Sequence, residues 1–320
     1  MGGGAMERER MAALKMLDEM NQVILGKKQF TFQVLAALLA DGHILLEDIP
    51  GVGKTTLALA VSKMMGLSWK RVQFTPDVLP SDLTGFTMYR RDIQKFVYQP
   101  GAVFCNLLLA DEINRTSPKT QSALLEVMEE RQVTVDGETR EVPVPFFVIA
   151  TQNPIGATGT QRLPEAQMDR FLVSLTIGYP NFENEVLMAK DVNKGKRADR
   201  AQIIMDTDMV RRIQNNVQEI YIHDEIYAYI VKLMDATRNH PDLEMGVSPR
   251  GTIAMVKMAR AVAWLSGQDF VSPLDVSGQF LAVTRHRVKL SRKAEMEERG
   301  RETVLREILE SVEKPALRKM

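Results

Sequence analysis

Asp48-Ile49-Pro50-Gly51-Val52-Gly53-Lys54-Thr55 follows a short apolar run, His43 to Glu47 (HILLE), and leads into a helical pattern from Thr55 to Met65. A buried strand, a glycine-rich turn and a helix in that order are the context of a phosphate-binding loop, whose usual form is G-x-x-x-x-G-K-S/T. Asp48 stands where that form has its first glycine, and Pro-Gly-Val-Gly-Lys-Thr is intact. The residue types suit the chemistry. Glycines let main-chain N–H groups curl around phosphate oxygens, and the helix N-terminus adds partial positive charge. Lys54 would supply a point charge to the β- and γ-phosphates and Thr55 a hydroxyl to magnesium. Pro50, Gly51, Val52, Gly53 and Thr56 complete the expected cradle.

A partner motif lies downstream. Leu107-Leu108-Leu109-Ala110-Asp111-Glu112 is an apolar strand ending in two acids. Ligands of open α/β sheets gather at the carboxyl ends of strands, where Asp111 suits magnesium and Glu112 suits polarising an attacking water. The strand Phe146 to Thr151 ends at Gln152-Asn153-Pro154. Asn153 is placed to bond the γ-phosphate or the attacking water, or to make a plain Asn-Pro turn. Arg170, in Gln161 to Phe171 (QRLPEAQMDRF), lies well past these loops. It reads either as a paired surface arginine or, at a subunit boundary, as an arginine finger for a neighbour's γ-phosphate. Arg250, in Ser248-Pro249-Arg250-Gly251 at the start of a helix, either folds over the nucleotide or faces solvent.

Working outward, helical patterns cover Met11 to Ile24, Phe30 to Leu39 and Pro118 to Glu130. Further buried strands are expected at Arg71 to Phe74, Cys105 to Ala110 and Leu172 to Ile177. Strands alternating with helices imply βαβ units, so the fold class is α/β with a mostly parallel five-stranded sheet. Two hairpins are expected to project from it. One is at 86–103; the other, at 131–142, turns on Asp136-Gly137, a strong tight-turn signal. After Tyr179-Pro180 strand signals fade, and Ile226, Ile230, Leu233 and Met234 share one helical face. The division expected is 1–180 for the nucleotide domain and 181–320 for an all-α helical lid.

Composition bounds the rest. The chain has 320 residues, 45% apolar and 26% charged, with 41 basic and 41 acidic side chains. That balance supplies no global field toward nucleic acid or anionic lipid, and no run reaches the ~20 apolar residues of a membrane span. Nucleic acid and membrane insertion are therefore not expected. The single cysteine, Cys105, cannot form an internal disulfide and reads as a small buried hydrophobe. Gly2-Gly3-Gly4 reads as a flexible leader, and the first residues lack the apolar stretch of a signal peptide, so the cytoplasm is the expected location. The four histidines show no metal-ligand spacing. Glu129-Glu130-Arg131 reads as the solvated end of a helix.

Together, Pro-Gly-Val-Gly-Lys-Thr, Leu107 to Arg115 (LLLADEINR), Ala150 to Pro154 (ATQNP), Pro164 to Phe171 (PEAQMDRF) and Ser-Pro-Arg at 248–250 resemble a MoxR-type AAA+ ATPase over about residues 20–290. Asp111 to Arg140 is the most specific stretch. The resemblance implies a P-loop αβα nucleotide domain followed by a helical lid, with ATP and Mg2+ as cofactors. Lys54 and Thr55 match Walker A, Asp111 and Glu112 Walker B, Asn153 sensor 1, Arg170 the arginine finger and Arg250 sensor 2. Val23-Ile24-Leu25-Gly26 resembles the segment packed near adenine. A ring, usually a hexamer, is implied, acting as a chaperone on a separate partner that often carries a von Willebrand factor A domain. A nucleotide-gated scaffold and a nucleic-acid motor are the alternatives. Neither hairpin carries the dense basic and aromatic cluster that the motor would use.

Overall fold

The computed structural model describes residues 3–47, 51–152, 163–191 and 197–316. Two helices, α1 (Gly3–Val23) and α2 (Lys28–Leu39), lead into β1 (Ile44–Glu47), which runs to the phosphate loop and α3 (Lys54–Met64). Next come β2 (Trp69–Gln73), α4 (Pro80–Thr84), the hairpin β3 (Phe86–Arg90) and β4 (Lys95–Gln99), β5 (Leu107–Asp111) and α5 (Pro118–Glu130). A second hairpin, β6 (Gln132–Val135) and β7 (Glu138–Glu141), precedes β8 (Phe147–Gln152), the one-turn α6 (Glu165–Met168) and β9 (Val173–Leu175).

The five core strands are parallel, in the order β2-β5-β8-β1-β9. One strand, β8, therefore separates the phosphate-loop strand from the strand ending in Asp111. The apolar runs are continuous because both faces are covered. Alternate side chains point to opposite faces. Leu107, Leu109, Phe147 and Ile149 pack with α1, α2 and α3, while Leu108, Ala110, Val148 and Ala150 pack with α4 and α5. Each fully buried leucine among them contributes on the order of 2 kcal/mol.

The remaining helices are α7 (Phe182–Lys190), α8 (Thr207–Gln218), α9 (Asp224–Arg238), α10 (Pro249–Leu265), α11 (Pro273–Ser277), α12 (Phe280–Thr284), α13 (Arg292–Met296) and α14 (Arg301–Ser311). Their N-caps explain several starts: Asn181, Asp206, Ser248, Ser272 and Ser291 each accept from a main-chain N–H of the first turn. No helix among the described residues is long and apolar enough to cross a membrane.

Three details depart from the sequence expectation. Helix α1 already includes Gly3 and Gly4. Its buried face, Ala13, Met16 and Met20, docks on the body and outweighs the roughly 1 kcal/mol that each glycine costs a helix. The helical half carries a short antiparallel pair, β10 (Leu243–Met245) with β11 (Lys289–Leu290); strands this short leave no readable period. The two halves also share one apolar cluster. The first two helices pack on α8 and α10 as well as on the sheet, with Gln214 Nε2 donating to the Leu38 carbonyl at 3.1 Å and Arg10 Nε to that of Trp264 at 2.9 Å.

His43 is buried between the halves of the core. Its Nδ1 accepts from the Val148 N–H at 3.0 Å, and its Nε2 lies 3.0 Å from the Met128 carbonyl. The ring is therefore the neutral Nε2–H form, and burial, helped by Arg131, pushes its pKa down to about 3. Burial pushes the Cys105 thiol up to about 11, consistent with a small core hydrophobe.

Candidate active site

The phosphate loop is open and strained where it must be. Gly51 and Gly53 take φ of +90° and +99°, and Gly53 caps α3 in the left-handed conformation. A β-carbon would meet nothing within 4 Å at Gly51 and only the Ile24 Cδ1 at 4.0 Å at Gly53. Glycine is thus required by conformation rather than by crowding, and free space borders the main chain. Lys54 opens α3 at 8% exposure.

Beside this loop lies a cavity of about 530 Å3, within the range of small-molecule sites. Val23, Ile24, Leu25, Val52, Ile177 and Met188 line it with apolar surface, and Gly51, Gly53 and Thr56 form the phosphate-loop side. Polar walls come from Lys27, Glu185, Asp191 and Arg197, the last two paired at 2.6 Å. Apolar walls for a purine beside glycines, a lysine and a helix N-terminus fit an adenine nucleotide. Gly26, at φ +71°, abuts Asn184 near the start of α7, where a β-carbon would come within 2.2 Å of its Nδ2.

The two acids stand at the same, carboxyl edge of the sheet. Asp111 ends β5, and Glu112 follows at φ +58°. A non-glycine residue held in the left-handed region is a local strain of a kind that clusters at active sites. Thr151, at the end of β8, ties the two together: its hydroxyl donates to Asp111 Oδ1 at 2.6 Å and accepts from the Glu112 N–H at 2.8 Å. Arg71 Nη2 contacts Asp111 Oδ2 and Arg115 Nη1 contacts Glu112 Oε2, both at 2.7 Å.

Glu47, just ahead of the loop, accepts from Gln152 Nε2 and, at 2.9 Å, from the Ser174 hydroxyl. Arg285, at the end of α12, reaches the same carboxylate at 3.6 Å and donates to the Thr176 hydroxyl at 2.8 Å. Arg285 thus touches the end of β1, which leads to the phosphate loop, and the residue just after β9. Asn153 and Pro50 themselves lie outside the described residues.

Arg170 and Arg250 sit elsewhere. His43 precedes β1, and its bond to Met128 places the end of α5 beside the amino end of that strand. There Glu129 takes Arg170 Nη1 on one oxygen at 2.8 Å and Arg250 Nη2 on the other at 2.5 Å. Arg170 Nη1 also donates to the Leu125 carbonyl at 2.8 Å. Four strand residues, rising roughly 13 Å at ~3.3 Å each, separate this amino edge from the phosphate loop. The structure therefore brings together the loop, Asp111 and Glu112, and brings Arg170 and Arg250 together with each other, but not with the loop. Within a single chain Arg170 is ion-paired with Glu129.

Sequence reasoning missed the far cavity wall of Ile177, Gly178, Glu185, Met188, Asp191 and Arg197. Tyr179-Pro180, where the pattern changes, was its only signal. It also missed Glu129 and the neighbouring buried pair in which Arg287 Nε donates to Asp169 at 2.7 Å. Burial pushes that guanidinium down to about 10 despite Asp169.

Comparison with known proteins agrees with this geometry. Residues 43–173 match the family model of the ATPase family associated with various cellular activities (AAA), and residues 235–308 match the AAA lid domain. Chaperone MoxR1 of Mycobacterium tuberculosis is 39% identical over 306 residues, 93% of this chain and 81% of that one. The YeaC protein of Bacillus subtilis is 47% identical over 95% of both chains. A crystal structure from Cytophaga hutchinsonii, assigned as an ATPase, superposes with a TM-score of 0.91 at 34% identity over 98% of each chain.

Proposed function

The chain belongs to the MoxR family of AAA+ ATPases, and from that premise we propose that it works as a magnesium-dependent ring ATPase whose catalytic sites are completed between subunits. The observation that carries this reading is the 2.5–2.8 Å clasp of Arg170 and Arg250 on Glu129 at the sheet edge opposite the phosphate loop. Arginines at the sheet edge opposite their own loop are placed to serve a triphosphate held by another copy rather than their own.

In this reading residues 1–180 form the nucleotide domain and 181–320 the lid. Val23, Ile24 and Gly26 pack near adenine, and the amides of Gly51, Val52 and Gly53 with Lys54 hold the phosphates, joined by Pro50 and Thr56. Thr55 and Asp111 hold magnesium, which supplies charge neutralisation on the phosphoryl oxygens. Glu112 takes the proton of the attacking water. Asn153 orients that water, Arg170 of the adjacent copy stabilises charge on the transferring group, and Arg250 follows it there. Each cycle would drive a chaperone action on a separate client in the cytoplasm, one with a von Willebrand factor A domain being the first to try. The hairpins at 86–103 and 131–142 would make the contact.

Sedimentation velocity tests the shared-site premise. With a non-hydrolysable ATP analogue and Mg2+ the chain is expected to sediment as a closed oligomer of about six subunits. A monomer at every nucleotide state and at tens of micromolar protein would contradict it.

A further inference from the structure

The end of α5 is an unfavourable place for an acid. The helix presents unsatisfied carbonyls and partial negative charge at its C-terminus, yet its last turn holds Glu129 and Glu130 and no basic residue. Glu129 is exposed at the helix end, as its sequence context predicts, yet both of its carboxylate oxygens are engaged. One carboxylate oxygen contacts Arg170 and the other Arg250, residues 41 and 121 positions away on different parts of the fold. These three side chains and Met128 line a small recess, continuous in composition with a larger cavity of about 390 Å3. That cavity adds Arg131, Lys257 and Arg287 against Asp41 and Asp169. Its five cations outnumber its three acids, a surplus that an anion from outside the chain would offset.

We propose that Glu129 is a positioning residue for ATP hydrolysis: it holds Arg170 and Arg250 side by side as one preassembled clasp for the triphosphate of an adjacent copy. This rests on the shared-site reading above. The physical need is plain. Two guanidiniums converging on one anion repel each other, and each rides on a long stem with much rotamer freedom. A carboxylate accepting one guanidinium on each oxygen removes both obstacles before the phosphate arrives, and pre-ordering of this kind is what raises turnover. The exposed geometry, with Glu129, Arg170 and Arg250 side chains 41%, 31% and 44% accessible, makes the pairs weak. The more highly charged triphosphate can therefore displace Glu129 without a large barrier.

Steady-state ATP hydrolysis by the full chain tests this with Glu129→Ala, Glu129→Gln, Arg170→Ala and the Arg170→Ala/Glu129→Ala double variant. Glu129→Ala is expected to lower kcat about tenfold, a fraction of what a transferring-group arginine itself supplies, with KM for ATP unchanged. Glu129→Gln, whose carbonyl oxygen can still accept from one arginine, should recover part of the loss. In the Arg170→Ala background Glu129→Ala should add little, since residues of one unit do not act additively. Wild-type kcat for Glu129→Ala beside a slow Arg170→Ala would overturn the assignment while leaving the finger reading intact. So would losses that multiply in the double variant, or a lowered melting temperature with a raised KM, which would mark the pair as structural. Full activity of Arg170→Ala would instead sink the finger reading, and the clasp with it.

Discussion

Arg170→Ala is expected to bind ATP as the wild type does and to hydrolyse it about a thousandfold more slowly, the lower end of what an arginine on the transferring phosphoryl group supplies. Binding is spared because Arg170 lies at the amino edge of the sheet with Glu129, whereas the cavity beside the loop is lined by Val23 to Leu25, Ile177, Met188, Asp191 and Arg197. Turnover falls because the charge spreading over the equatorial oxygens loses its preorganised donor. The arrangement makes a second expectation specific. Mixing Arg170→Ala with a Glu112→Gln variant should restore part of the rate, since some interfaces then pair an intact Glu112 with an intact Arg170. A mixture no faster than its inactive components would place both residues in one subunit's own site.

Glu112→Gln alone should keep ATP affinity and lose turnover by at least about a hundredfold, in the range for removal of a general base. The substitution preserves shape and the main-chain N–H bond to Thr151, so the strained turn at residue 112 survives. It removes the carboxylate that would accept the water's proton and weakens the contact with Arg115. Single-turnover measurement separates the two effects: the bound ATP should persist unhydrolysed. Wild-type burst kinetics would mean that Asp111 or another group takes the proton.

Much of this was legible in the sequence, and for local reasons. The phosphate loop announces itself because strand, glycines, lysine and helix are contiguous. The continuous apolar runs at 107–110 and 147–151 are legible because a strand covered on both faces has no polar alternation. Both hairpins and α5 follow from short-range turn and capping chemistry: Ser117 caps α5, with Pro118 as its first residue. What stayed hidden is non-local. No spacing rule pairs Glu129 with Arg250 across 121 positions, and Arg250 at a helix start looks the same whether it faces its own nucleotide or a neighbour's. The Glu47–Arg285 link between strand and lid is hidden for the same reason. The one local clue at Glu129 was an acid in a helix's last turn, which the macrodipole disfavours and which therefore asks for a partner.

The most direct measurement is a calorimetric titration of ATP, with Mg2+ present, into the wild-type chain and into Lys54→Ala. The wild type is expected to bind in the micromolar range, and Lys54→Ala to lose at least about a hundredfold in affinity, the ~3 kcal/mol that a buried charge-assisted contact to phosphate supplies. Equal affinity in the two chains would contradict the placement of the triphosphate in this loop.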